Sequence, residues 1–194
     1  MRTLLALDIA IVPPLDVGER AVHLSAALPR HESLGLRLDE AHVPHVTLTQ
    51  QFVRIDEIDT IFGRVDEVLH GQAPLTLHVT GGGRGAGSVW MALERTEALA
   101  RLHERLMDAL GEFERLGGGA DAFVGEDARP ADLAWVSGYR ATASLSAYAP
   151  HITLGHARQP PRIEPFTFQA TTVAACHLGR FCACRRVLRR WESG

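Results

Sequence analysis

No run in this 194-residue chain approaches the ~20 consecutive apolar residues that a membrane-spanning helix requires. The opening MRTLLALDIAIVPP comes nearest, but Asp8 interrupts it and no small-residue cleavage site follows, so a buried first strand is expected there rather than a secretory signal. Cysteine is scarce too. The three present, Cys176, Cys182 and Cys184, are an odd number crowded into ACHLGRFCAC, which fits a reducing compartment and not a disulfide scaffold. A cytoplasmic protein is expected. Excess positive charge is also missing: at a net charge of −3 the chain lacks the Lys and Arg surplus that grips long nucleic acid by phosphate neutralisation. Any nucleic-acid partner should be short, or held by its end.

What is present suits a folded domain. At 46% hydrophobic and 22% charged residues, 194 residues suffice for a sizeable core, and one domain over 1–194, a monomer, is expected. Thr3 to Val12 reads as a strand and PPLDVGERAVHLSAALP as a helix closed by Pro29. Ile55, Ile58, Ile61, Phe62, Val65, Val68 and Leu69 recur at helical spacing until Gly71 stops them. PLTLHVT and SVWMALE read as strands on either side of GGGRGAG, and Thr96 to Leu116 as a third helix. FTFQATTVAACHL and CACRRVLRRWE read as a closing antiparallel pair with a turn at Gly179. Gly117 to Ser146 looks irregular, a peripheral or mobile loop that tunes substrate choice. The fold class predicted is α+β with antiparallel sheet.

One phrase is written twice. HVPHVTLTQ contains Pro44, His45, Val46, Thr47 and Leu48, and YAPHITLGHA contains Pro150, His151, Ile152, Thr153 and Leu154. On a strand, residues two apart share a face, so each copy buries its aliphatics and presents an imidazole beside a hydroxyl. Proline suits the first position because it donates nothing to the ladder. Two imidazoles across one cavity are what phosphodiester cleavage needs, a neutral one to take a proton from the attacking oxygen and a protonated one to give a proton to the leaving oxygen. The threonine hydroxyls suit the non-bridging phosphoryl oxygens, where charge develops.

PHVTL and PHITL, together with the TLLALDI opening and the order of the later elements, resemble the two-histidine phosphoesterase superfamily, in particular its 2′-5′ RNA ligase and cyclic phosphodiesterase branch. The resemblance implies a bilobal α+β domain in which two antiparallel-sheet lobes, related by a pseudo-twofold axis, face each other across a cleft. It implies His45 and His151 as catalytic residues, Thr47 and Thr153 as phosphate-binding residues, no cofactor, and a nucleotide or RNA-end substrate with a 2′,3′-cyclic phosphate or a 2′-5′ linkage. The alternatives are a nucleotide- or RNA-end-binding module with little catalysis, or a ligase running the reverse reaction. Many relatives carry a basic residue just after the second motif; here Gly155 and His156 stand there and the nearest arginine is Arg158, so a phosphate-steadying charge falls to His156, Arg158 or another residue.

Further substrate contacts are expected from Tyr148, by stacking on a base, and from Arg84 in GGGRGAG, a stretch without the Gly-Lys-Ser/Thr ending of a phosphate loop. Trp135 and Tyr139 fit base stacking and internal packing equally. No metal site is expected: HVPH supplies only His42 and His45, and the three cysteines with His177 read as a packed strand.

Overall fold

The structure, a computed structural model, describes residues 3–39, 41–85 and 87–193. Its elements run β1 (Leu4–Val12), α1 (Leu15–Ala27), β2 (Val46–Arg54), α2 (Ile58–Leu69), β3 (Leu75–Arg84), β4 (Ser88–Leu93), α3 (Glu97–Ala109), α4 (Pro130–Thr142), β5 (His151–His156), β6 (Phe166–Ala170), β7 (Thr172–Leu178) and β8 (Cys184–Glu192). The strands form two four-stranded antiparallel sheets, ordered β2-β1-β7-β8 and β5-β4-β3-β6, so the expected α+β fold of two paired sheets is the one found. Each repeated motif lies at the edge of its sheet, and the two edges approach each other.

Helix spacing places the main core. Ile61, Val65 and Val68 of α2 and Leu99, Leu102 and Leu106 of α3 are buried on single stripes. Thr96 caps α3 by accepting the Leu99 N–H at 3.3 Å, and Gly71, with φ of 69°, stops the chain behind α2. The lobes exchange helices: α1, which follows β1 of the first sheet, packs against β5 of the second, and α3, which follows β4 of the second, packs against β2 of the first. Apolar faces of both sheets thereby close on one cluster that includes Leu7, Ile9, Leu48, Met91, Ile152 and Leu154.

The opposite face of the first sheet carries a smaller core, and here the sequence expectation is corrected. Gly117 to Ser146 is not a peripheral loop: Phe123, Val136 and Tyr139 are almost fully buried, and α4 lies across β2. Ala122, Phe123 and Val136 pack on Ala6, Ala10, Phe52 and Ala174. Gly118 is required by this approach, since a Cβ there would fall 2.3 Å from the Phe52 ring. Three smaller corrections concern α3 and the strands. The third helix ends at Ala109 rather than Leu116, and a single 3-10 turn, Gly111–Phe113, carries the chain onward. FTFQATTVAACHL is not one strand; it passes at Thr171 from β6 in one sheet to β7 in the other. The glycines of GGGRGAG are not a bare hairpin connection, because Gly81 to Arg84 belong to β3. They make room for Trp90: a Cβ on Gly83 would sit 2.2 Å from the indole nitrogen.

Candidate active site

The two motifs adopt the same local geometry. His45 directly precedes β2 and His151 opens β5. In each, ring Nδ1 meets the backbone carbonyl two residues earlier, Val43 at 2.8 Å and Ala149 at 2.7 Å. A carbonyl only accepts, so Nδ1 carries the proton and Nε2 is left for chemistry. Each strand then bulges at the motif leucine: the register steps from Thr47 opposite Ala10 to Thr49 opposite Ile9, and from Thr153 opposite Trp90 to Gly155 opposite Val89. One extra residue reverses the facing of the positions beyond it. Gln50 therefore turns to the same side as Thr47, and its Nε2 lies 3.4 Å from the Thr47 hydroxyl.

The surroundings of the two histidines differ. Asp8, completely buried on β1, stands 3.6 Å from His45 Nε2 through its Oδ2. That same oxygen accepts the Thr47 hydroxyl at 2.9 Å and the Gln50 amide at 2.7 Å, while Oδ1 has no hydrogen-bond partner among the described residues. Burial pushes the Asp8 carboxyl above the usual carboxylate value, and the attraction of His45 and the two hydrogen bonds oppose it. Gln50 passes the chain outward by accepting the Trp135 indole N–H at 2.8 Å, and Trp135 is 45% exposed. His151 instead lies against the Trp90 ring, with centroids 4.9 Å apart. Burial holds His151 below the usual histidine value, the Ala149 carbonyl opposes this, and the charge of His45 adds to it, which puts the two imidazoles within electrostatic reach of each other. The hydroxyl of Thr153 makes no hydrogen bond among the described residues.

A third histidine ties the halves together. Buried His103 of α3 donates from Nδ1 to the Leu48 carbonyl at 2.6 Å and accepts the Leu145 N–H on Nε2 at 2.8 Å. Tyr148 stacks on its ring at 3.9 Å between centroids and donates its hydroxyl to the Thr47 carbonyl at 3.0 Å. Tyr148 is only 5% exposed, so it presents no face to a base; it is a strut between the two motifs. His156 is likewise covered, at 8% exposure, under the Phe181 ring. Arg84 and Arg158 stand elsewhere. They share a surface hollow with His31, Glu32 and Gln159 beyond the far end of β5, roughly 15 Å along the strand from His151 at about 3.3 Å per residue. Arg84 there donates to the Arg158 carbonyl at 2.9 Å. His42 bonds Asp39 at 2.6 Å.

Of the expected site residues, the fold gathers His45, Thr47, His151 and Thr153, and it adds Asp8, Gln50 and Trp90, which the motif reading missed. Asp8 did leave a signal as the one charge in an otherwise apolar strand.

The sequence profile of the 2′-5′ RNA ligase superfamily matches residues 13–174. No curated protein sequence matches the chain. Among solved structures, Escherichia coli LigT complexed with 3′-AMP is similar at 18% identity and a TM-score of 0.66, with 98% of each chain covered. TT0787 of Thermus thermophilus is similar at 18% identity and a TM-score of 0.62, with 97% of each chain covered. A protein described as a phosphoesterase is similar at 20% identity and a TM-score of 0.61, covering 97% of this chain and 98% of its own.

Proposed function

The chain belongs to the 2′-5′ RNA ligase superfamily, and from that premise we propose that it is a metal-independent phosphoesterase, hydrolysing a 2′,3′-cyclic phosphate or a 2′-5′ phosphodiester of a nucleotide or short RNA. The observation that carries the reading is the matched orientation of His45 and His151, each with Nδ1 bound to the carbonyl two residues before it, which leaves Nε2 for proton transfer.

The unequal surroundings divide the work. His151, held neutral by burial, takes the proton from water as the water oxygen bonds to phosphorus. His45, whose protonated form has Asp8 as counter-charge, gives its proton to the ribose oxygen as the bond from phosphorus to that oxygen breaks. Thr153, uncommitted, donates to a non-bridging oxygen where charge accumulates. Trp135 offers its exposed face to a nucleobase. LigT was solved with 3′-AMP, a nucleotide with a phosphate on the ribose 3′ oxygen, which supports a nucleotide-sized ligand for this cleft.

The test is turnover of cyclic nucleotides, RNA ending in a cyclic phosphate and 2′-5′-linked oligonucleotides by purified protein in EDTA. Cleavage of at least one class, abolished in His45→Ala and His151→Ala, is expected. No turnover together with nucleotide binding that survives both substitutions would establish a binding module instead.

A further inference from the structure

Asp8, His45 and Cys184 meet although they come from β1, the approach to β2 and the start of β8. One ligating atom from each, a carboxylate oxygen, an imidazole nitrogen and a sulfur, lies within 4.8 Å of the others. We infer that these three residues form a binding site for Zn²⁺, and that its occupation shuts off the reaction by taking the His45 Nε2 lone pair.

The geometry is close to what the ion requires. In a tetrahedral zinc site with bonds of about 2.1–2.2 Å, neighbouring light-atom ligands stand about 3.4–3.6 Å apart. His45 Nε2 and Asp8 Oδ2 are already 3.6 Å apart. The sulfur needs an approach of no more than about 1 Å to complete the face, given its bond of about 2.3 Å to zinc. The donor set, one thiolate, one imidazole and one carboxylate, suits a borderline-soft ion and not Mg²⁺ or Ca²⁺, which take oxygen.

Charge supplies the second argument. Asp8 is fully buried, and its Oδ1 has no hydrogen-bond partner among the described residues. A buried anion with an unfilled lone pair is costly, and a cation offsets that cost. Zn²⁺ with the Asp8 carboxylate and the Cys184 thiolate is neutral overall. Oδ2 takes the ion beside the bonds it accepts from Thr47 and Gln50, which hold the carboxylate in place. Burial keeps the Cys184 thiol protonated in the free protein, with the neighbouring Cys176 thiol and Asp8 adding to the effect. Binding therefore releases that proton to solvent as the metal–sulfur bond forms. Partly exposed His45 is the side from which the ion and its remaining water ligands enter.

Co²⁺ serves as a coloured probe. One equivalent added to the unmodified protein without substrate should give near-ultraviolet thiolate-to-cobalt absorption and the intense visible bands of tetrahedral coordination. Cys184→Ala should lose the near-ultraviolet band and Cys176→Ala should keep it. In turnover assays Zn²⁺ should inhibit the unmodified protein. Cys184→Ala should work normally in EDTA and need at least the ~10–100-fold more Zn²⁺ that losing even an outer partner of a metal site costs. Absence of the thiolate band in unmodified protein overturns the inference, and so does its persistence in Cys184→Ala. Because the spectra need no substrate, a protein that turned over none of the proposed substrates would still decide the matter.

Discussion

His45 and His151 occupy matching positions in matching bulged strands, yet one faces a buried carboxylate and the other an indole ring. The backbone is symmetric and the chemistry is not. The proposed hydrolysis needs one imidazole protonated and the other neutral; identical surroundings would leave a single proton on either ring, and unequal ones decide which ring holds it. The pseudo-twofold fold supplies two equivalent nitrogens, and Asp8 and Trp90 make them different.

The largest effect expected is a loss of ~10²–10⁴ in kcat for either His45→Ala or His151→Ala, the usual worth of a positioned acid or base. Single-turnover kinetics should find the two losses comparable; a near-normal rate in either variant would break the comparison at its root. Asp8→Asn sharpens it. Without the carboxylate, protonated His45 loses the counter-charge 3.6 Å from its Nε2, and kcat should fall, by about tenfold if the contact is worth about 1.4 kcal/mol. The Asp8 carboxyl is raised in the fold, so its ionisation costs stability as pH rises above the ordinary carboxylate range. The amide removes that cost, and melting at pH 7 should be unchanged or higher.

The threonines should part company more gently. Thr47→Ala removes a donor from buried Asp8 and should cost ~1–2 kcal/mol of stability in denaturant titration, whereas Thr153→Ala should leave stability alone and lower turnover severalfold. The smallest effect is on stability against pH. His103, His151 and His156 are all held below the usual histidine value, chiefly by burial. The unfolded chain therefore takes up protons first as pH falls, so stability is full above about pH 6.5 and declines from there toward the lower folded values. His103→Gln should flatten that decline, as followed by melting temperature across pH 5–8.

Much of this was readable in the sequence. The alternation of His45, Thr47, His151 and Thr153 with Val46, Leu48, Ile152 and Leu154 depends on the period of a strand, which is local, and the burial of all four aliphatics agrees with it. Gln50 escaped because a bulge breaks the period, and a bulge depends on strand pairing. Asp8 was visible as an interruption but not as a site residue, since its neighbours come from 37 residues or more downstream. α4 was missed for a different reason. It covers a partly polar floor, so its buried positions include Asp132 beside Val136 and Tyr139, and no apolar stripe announces it. Tyr148 was read for its exposed chemistry when its partner, His103, lies 45 residues upstream.

The clamp at His103 also governs how ligands come and go. Separating the motifs would break the hydrogen bonds of His103 to Leu48 and Leu145, the Tyr148 hydroxyl bond and the stacked rings in a single movement. The cleft thus behaves as a fixed gauge and not as a jaw. The gap between the imidazoles is set before any ligand arrives, so little of the binding energy is consumed in closing it.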